Sequence, residues 1–132
     1  MPNLDYWRCF HDGTITAAAG SVPGDVEFTI DCDCIREELH QSPGTFLLRV
    51  TNCTLFEIAP YEIDHALDGF EALDSGEFEI LDAVIERGVV EVSNATGTMR
   101  LCYESEVLML DDGTVISLRD LIDAANRSVG DL

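Results

Sequence analysis

Lysine is absent. All seven basic residues are arginine (Arg8, Arg36, Arg49, Arg87, Arg100, Arg119 and Arg127), and they stand against twenty-six carboxylates, for a formal net charge of −19. So small a positive complement argues against direct nucleic-acid binding, whose affinity comes mainly from basic side chains neutralising phosphates. An anionic membrane surface is disfavoured on the same ground. No run approaches the roughly 18 apolar residues of a membrane span. Residues 1–10 carry neither a basic region nor a continuous apolar stretch, so a cleaved secretion signal is not expected and the cytoplasm is the expected location. The five cysteines, an odd number, are scattered apart from Cys32 and Cys34, which does not resemble a secreted disulfide framework; reduced thiols are expected. A glycine-rich phosphate loop, a Gly-x-Ser-x-Gly elbow and a His-Glu-x-x-His pair are also missing, and Asp111-Asp112-Gly113 lacks the spacing of a calcium loop. An enzyme is therefore the weaker class, and no cofactor is expected.

What is present suits a folded protein. The 132 residues fall near the commonest domain size, and the 46% hydrophobic share is spread along the whole length, so one domain over 1–132 is expected. The unbalanced charge costs stability through self-repulsion. Arginine without lysine fits either a codon-biased genome or adaptation to high salt, in which case the acidity needs no partner; five cysteines weigh against the second.

The apolar pattern is mostly that of strands. Ile15, Ala17 and Ala19 alternate with Thr14, Thr16 and Ala18 before a turn at Gly20-Ser21-Val22-Pro23-Gly24. Val26, Phe28, Ile30, Cys32 and Cys34 then repeat at period two against Asp25, Glu27, Thr29, Asp31 and Asp33, predicting one buried and one charged face. Residues 35–40 suit one helical turn. Residues 45–58 suit a long strand bent near Asn52 and ended by Pro60. Ile63, Ala66, Leu67, Phe70 and Leu73 lie at helical spacing, predicting a short surface helix over 62–73. Strands are expected at 77–86, 89–93, 98–103, 106–110 and 114–116, with turns at Arg87-Gly88, Asn94 to Gly97 and Asp111-Asp112-Gly113. Ser117 with Asp120 resembles a capping box for a helix over 118–127, whose Leu118, Leu121, Ile122 and Ala125 should close one side of the sheet. The expected class is α+β: mainly antiparallel β, as a curved sheet or small sandwich, with a C-terminal α-helix.

Four groups of residues bear on function. His11-Asp12 is a His beside a carboxylate, but neighbours on a strand point to opposite faces, so a turn at Asp12-Gly13 with His11 packed near Trp7 and Phe10 is the favoured outcome. Cys32 and Cys34 would share a strand face with Val26, Phe28 and Ile30 and so be core thiols; a metal site would need two further ligands, with His40 and Cys53 the candidates. A small metal-binding protein or enzyme built on either pair remains the alternative. Between Arg49 and Arg87 no basic residue occurs while carboxylates accumulate, and this acidic segment, residues 57–86, is the expected functional face. Its candidate contacts are Glu57, Glu62, Asp64, Asp68, Glu71, Asp74, Glu77 and Glu79, with Tyr61 and Phe70 as aromatic anchors, and the matching partner is a strongly basic protein.

The opening Trp7-Arg8-Cys9-Phe10-His11-Asp12-Gly13-Thr14-Ile15 resembles the Trp, then Phe-His-Asp, then apolar strand pattern of small bacterial immunity proteins of polymorphic toxin systems. The long Phe/Leu strand and the closing Ser-Leu-x-x-Leu helix are similar in layout to such proteins. The resemblance implies a cytoplasmic inhibitor, monomeric when free, that neutralises a toxin domain, often a basic nuclease. It transfers no binding residue. Because self-repulsion is screened by salt, thermal melting followed by circular dichroism is expected to shift upward by several degrees between about 0.05 and 0.5 M NaCl; an unchanged midpoint would show the charge to be stabilised internally.

Overall fold

A computed structural model describes residues 1–39 and 44–130. One helical turn, α1 (Asp5–Arg8), leads into β1 (Thr14–Gly20), β2 (Gly24–Asp31), α2 (Asp33–Leu39) and β3 (Phe46–Cys53). Then come β4 (Leu55–Pro60), β5 (Leu67–Asp68), α3 (Gly69–Asp74), β6 (Phe78–Glu79) and β7 (Asp82–Glu86). The chain closes with β8 (Val89–Ser93), β9 (Gly97–Cys102), β10 (Ser105–Leu110), β11 (Val115–Ile116) and α4 (Leu118–Gly130). The first sheet has the order β11-β10-β3-β2-β1-β6 and the second β5-β4-β9-β8-β7. Their strand pairings are antiparallel. The protein is α+β, mainly antiparallel sheet with a C-terminal helix, as the alternation predicts.

Period-two patterning works best in β2, where Val26, Phe28 and Ile30 are fully buried. In β1 a bulge between Ile15 and Ala17 shifts the parity, so that Ala18 rather than Ala17 or Ala19 packs on the core. The expected long strand over 45–58 is two strands in two sheets: Asn52 takes a left-handed φ of 50°, and only Thr54 separates β3 from β4. The expected strand over 77–86 splits in the same way. Ile80 exchanges backbone hydrogen bonds with Asp12 and Gly13, whereas the Leu81 amide already donates to the Ser93 carbonyl, so the chain changes sheets within two residues. A third crossing, Tyr103-Glu104, links β9 to β10.

The helix expected over 62–73 is shorter. Leu67 and Asp68 pair with Ile58 and Glu57 as a strand, and the Asp68 carboxylate accepts from the Glu71 amide at 3.1 Å, so the helix starts only at Gly69. Phe70 and Leu73 then turn inward, and Ile63 and Leu67 stay exposed. The expected turn of helix over 35–40 is α2, which starts two residues earlier; His40 lies outside the described residues. Ser117 caps α4, its Oγ accepting from the Asp120 amide at 3.1 Å. Leu121 and Ala124 are buried, but the main neighbours of α4 are α2 and α1, so its stripe packs first on helices rather than across a sheet. Arg127 Nε meets Glu38 of α2 at 3.2 Å.

One buried cluster includes side chains of both sheets. A line of edge-on ring contacts runs Trp7 to Phe28 (5.5 Å), Phe28 to Phe56 (5.2 Å) and Phe56 to Phe70 (5.0 Å), joining α1, the first sheet, the second sheet and α3. Trp7 Nε1 donates to Tyr103 Oη at 2.9 Å, and Tyr103 donates to Glu106 at 2.6 Å, so the indole and phenol of this line are partnered. The buried Arg36 bonds the Thr45 carbonyl at 2.8 Å and Asp111 at 3.1 Å, tying α2 to the β10–β11 hairpin. At β7, the terminal strand of the second sheet, both backbone groups of Ala83 are taken by side chains: Asp82 accepts from its amide at 2.8 Å, and Arg8 Nε donates to its carbonyl at 3.0 Å.

Gly69 lies against the Phe56 ring so closely that a Cβ there would overlap it. Gly69→Ala is therefore expected to cost about 1–3 kcal/mol by forcing Phe56 and α3 apart. Urea unfolding followed by the fluorescence of Trp7 measures this, and a midpoint equal to wild type would show that α3 shifts freely.

Candidate functional site

The ten residues singled out in the acidic segment run from the second sheet to the first. Glu57, half-buried in β4, pairs with Arg100 of β9 at 2.9 Å, so it is already neutralised. Asp68 is spent in part on capping α3. Tyr61 is 62% exposed just past β4, pinned by its amide to the Thr96 carbonyl at 2.8 Å and by its hydroxyl to Thr98 Oγ1 at 3.3 Å. Glu62 and Asp64 are exposed in the following turn, with Asp64 3.5 Å from His65. Glu71, Asp74, Glu77 and Glu79 are exposed on and after α3. Phe70 is half-buried against Phe56 and belongs with the core, so it is not a free anchor. Between β4 and α3 the exposed large apolar residues are instead Tyr61, Ile63 and Leu67, the last two being residues the periodicity assigned to a helix face.

Between β4, β5, α3, β6 and the β8–β9 turn lies a hollow of about 210 Å³. Ile58, Leu67, Leu73 and Phe78 supply apolar lining, and Glu77, Asn94 and Thr96 supply polar edge. A second hollow of about 220 Å³ shares Glu77, Asn94 and Thr96 and adds Glu79, Leu81 and Ala95. The turn they share is closed on itself: Asn94 Oδ1 accepts from the Thr96 and Gly97 amides at 2.9 and 2.7 Å. Gly97 is required where it stands, since a Cβ would meet the Ala59 carbonyl at 2.8 Å. Neither hollow is lined by a basic residue.

The acidic face also draws on residues outside the segment. Glu79 of β6 pairs across Thr14 of β1 with Asp31 of β2. The Asp31 carboxyl is held above its ordinary value by partial desolvation, then by the charge of Asp33, and further by that of Glu77. Carboxylates nearly fifty positions apart in sequence thus crowd one another here, a meeting that density along the chain does not reveal.

The His and Cys residues lie elsewhere, along a cleft of about 460 Å³ lined by Arg8, Cys9, His11, Asp12, Cys34, Ile35 and part of α4. The strand parity expected for Cys32 and Cys34 fails, because β2 ends at Asp31 and α2 begins at Asp33; Cys32 is buried, Cys34 is exposed, and their sulfurs are 3.7 Å apart. His11 is exposed rather than packed near Trp7 and Phe10. It sits with Asp12 in the turn before β1, not on a strand; its Nδ1 donates to the Leu81 carbonyl, and its Nε2 lies 3.5 Å from Asp12. Burial pushes the Cys9 thiol up to about 11 and the Cys32 thiol up to about 12, which leaves both protonated near neutrality and poor as nucleophiles or metal ligands. Among the described residues, no group of three or more His, Cys, Asp or Glu side chains is arranged to hold a metal ion. No helix among them is long and apolar enough to cross a membrane.

Compared with protein-family models, with curated proteins and with solved structures, the chain matches none.

The shifted carboxyls set a pH dependence. Asp31 and Glu106, both first through desolvation, have folded values above the ordinary 3.8 and 4.5, so the folded state holds their protons more tightly and stability falls as pH rises through those folded values. Asp111 is held low, first by its hydrogen bond from Arg36, and its contribution is present above 3.8 and lost as pH falls through its folded value. Asp31→Asn is accordingly expected to flatten the gain in melting temperature on acidification through the folded value of Asp31, and Asp111→Asn to remove the loss on further acidification below 3.8. Parallel pH profiles for wild type and both variants would contradict these assignments.

Proposed function

We propose that this protein is an acidic binding module of the immunity type, which neutralises a basic toxin domain by covering it. The observation that carries this is the exposed trio Tyr61, Ile63 and Leu67 beside an apolar hollow, set among carboxylates and lined by no basic residue. A field of one sign speeds encounter with an oppositely charged partner, and a few exposed apolar side chains at its centre supply contact area once water is expelled. Inhibition on this scheme is steric and electrostatic, with no chemistry of its own.

The resemblance carried by Trp7, Phe10, His11 and Asp12 supports the same class but not the same surface. Trp7 and Phe10 are core residues, and His11 and Asp12 line the other cleft. A basic nuclease toxin would fit the charge, and the cytoplasm, where such toxins act, is the proposed location.

Glu62→Arg, Asp64→Arg and Asp74→Arg together reverse charge without touching the cap at Asp68 or the pair at Glu57. Against a basic nuclease toxin domain that the wild-type protein binds, stopped-flow measurement is expected to show association slowed about tenfold or more at low salt, with a weaker salt dependence. Association at the wild-type rate would remove this face from consideration.

A further inference from the structure

Glu77 stands where the two hollows meet, and three features of its surroundings bear on what could sit there. The first hollow is floored by Ile58, Leu73 and Phe78. Its volume, about 210 Å³, is below the roughly 300 Å³ at which drug-sized ligand pockets begin, so it suits a single side chain rather than a larger molecule. The second hollow shares Glu77, Asn94 and Thr96 with the first and adds the Glu79 carboxylate. Among the described residues Glu77 makes no ion pair, whereas five of the seven arginines are committed to other carboxylates, at Asp82, Asp111, Glu27, Glu57 and Glu38. Glu77 also repels Asp31, whose carboxyl it helps, as the smallest of several causes, to raise. A cation at this point would relieve that crowding, and an aliphatic stem behind the cation would fill the apolar floor.

We propose that the paired hollows form a socket for one lysine or arginine side chain of the partner, with the aliphatic stem between Leu73 and Phe78 and the cation at Glu77 and Glu79. The socket rests on the proposed function above and gives it a point of register. Long basic side chains bury their methylenes while keeping the charged head among polar groups, which is the mixture of surfaces found here. A neutral aliphatic chain would leave the carboxylates unrelieved, and a carboxylate would be repelled. The walls are built to hold shape: Gly69 fits against Phe56 behind α3, and the Asn94 turn is closed by its own hydrogen bonds.

The test uses the whole chain, labelled with ¹⁵N, and three capped tetrapeptides that differ at one position: arginine, norleucine or glutamate. Titration with the arginine peptide is expected to give saturable amide shifts centred on Leu73, Glu77, Asn94 and Thr96, and the other two peptides to give none there. Glu77→Gln is expected to weaken the arginine peptide about tenfold. Gly76→Phe, at a position where an added Cβ meets no atom within 4 Å, is expected to abolish binding by filling the mouth while leaving the fold intact. Shifts scattered over all acidic surfaces, or wild-type binding by both variants, would overturn the socket. That outcome is separate from the fate of the acidic face, which is judged by reversal of Glu62, Asp64 and Asp74, none of which lines either hollow.

Discussion

Phe28 belongs to the first sheet and Phe56 to the second, and their edge-on contact is where the two halves of the protein are held in register. Neither ring acts alone. Phe28 is braced by Trp7 and Phe56 by Phe70, so a shift of one sheet against the other would break three ring contacts in sequence. Close-packed interiors resist such movement because each ring has a single well-fitting place. The position of α3, and with it one wall of the socket at Glu77, is a consequence of this line, since Gly69 and Phe70 both touch Phe56.

Local features of the fold were legible from residues alone where local physics decides them. The alternation of β2, the cap at Ser117 and the bend at Asn52 each depend on a few neighbouring residues. What failed was every inference that extended a pattern past a boundary. Period two continued numerically through Cys32 and Cys34, yet the strand stops at Asp31. Helical spacing continued from Ile63 to Leu73, yet pairing with β4 and the Asp68 cap overrode it. The long strands at 45–58 and 77–86 were seen as apolar runs, but which sheet each half joins is fixed by partners far away in sequence.

The acidic face divides in the same manner. Its charge was legible because charge is a property of composition, and the absence of arginine between Arg49 and Arg87 marked the segment. Its shape was not legible. The hollow needs the Asn94 to Thr96 turn opposite α3, and the crowding of Asp31 with Glu77 needs β6 to lie beside β1. Phe70 is aromatic but packs on Phe56, and Ile63 and Leu67 are the apolar groups left in water. The sequence signal for them is Asp68, a residue suited to capping a helix that starts at Gly69, which leaves Ile63 and Leu67 ahead of the helix.

The two side chains that occupy Ala83 reach beyond the strand they cap. A terminal strand with unpaired amides and carbonyls is a template on which another chain can add itself, and β7 carries exposed Val84 and Ile85 that would reward such addition. Arg8 and Asp82 remove that option at Ala83, near the start of the strand, and the net charge of the chain repels further copies of itself. The edge of the second sheet is thereby made a poor template for strand addition by a further copy of the chain.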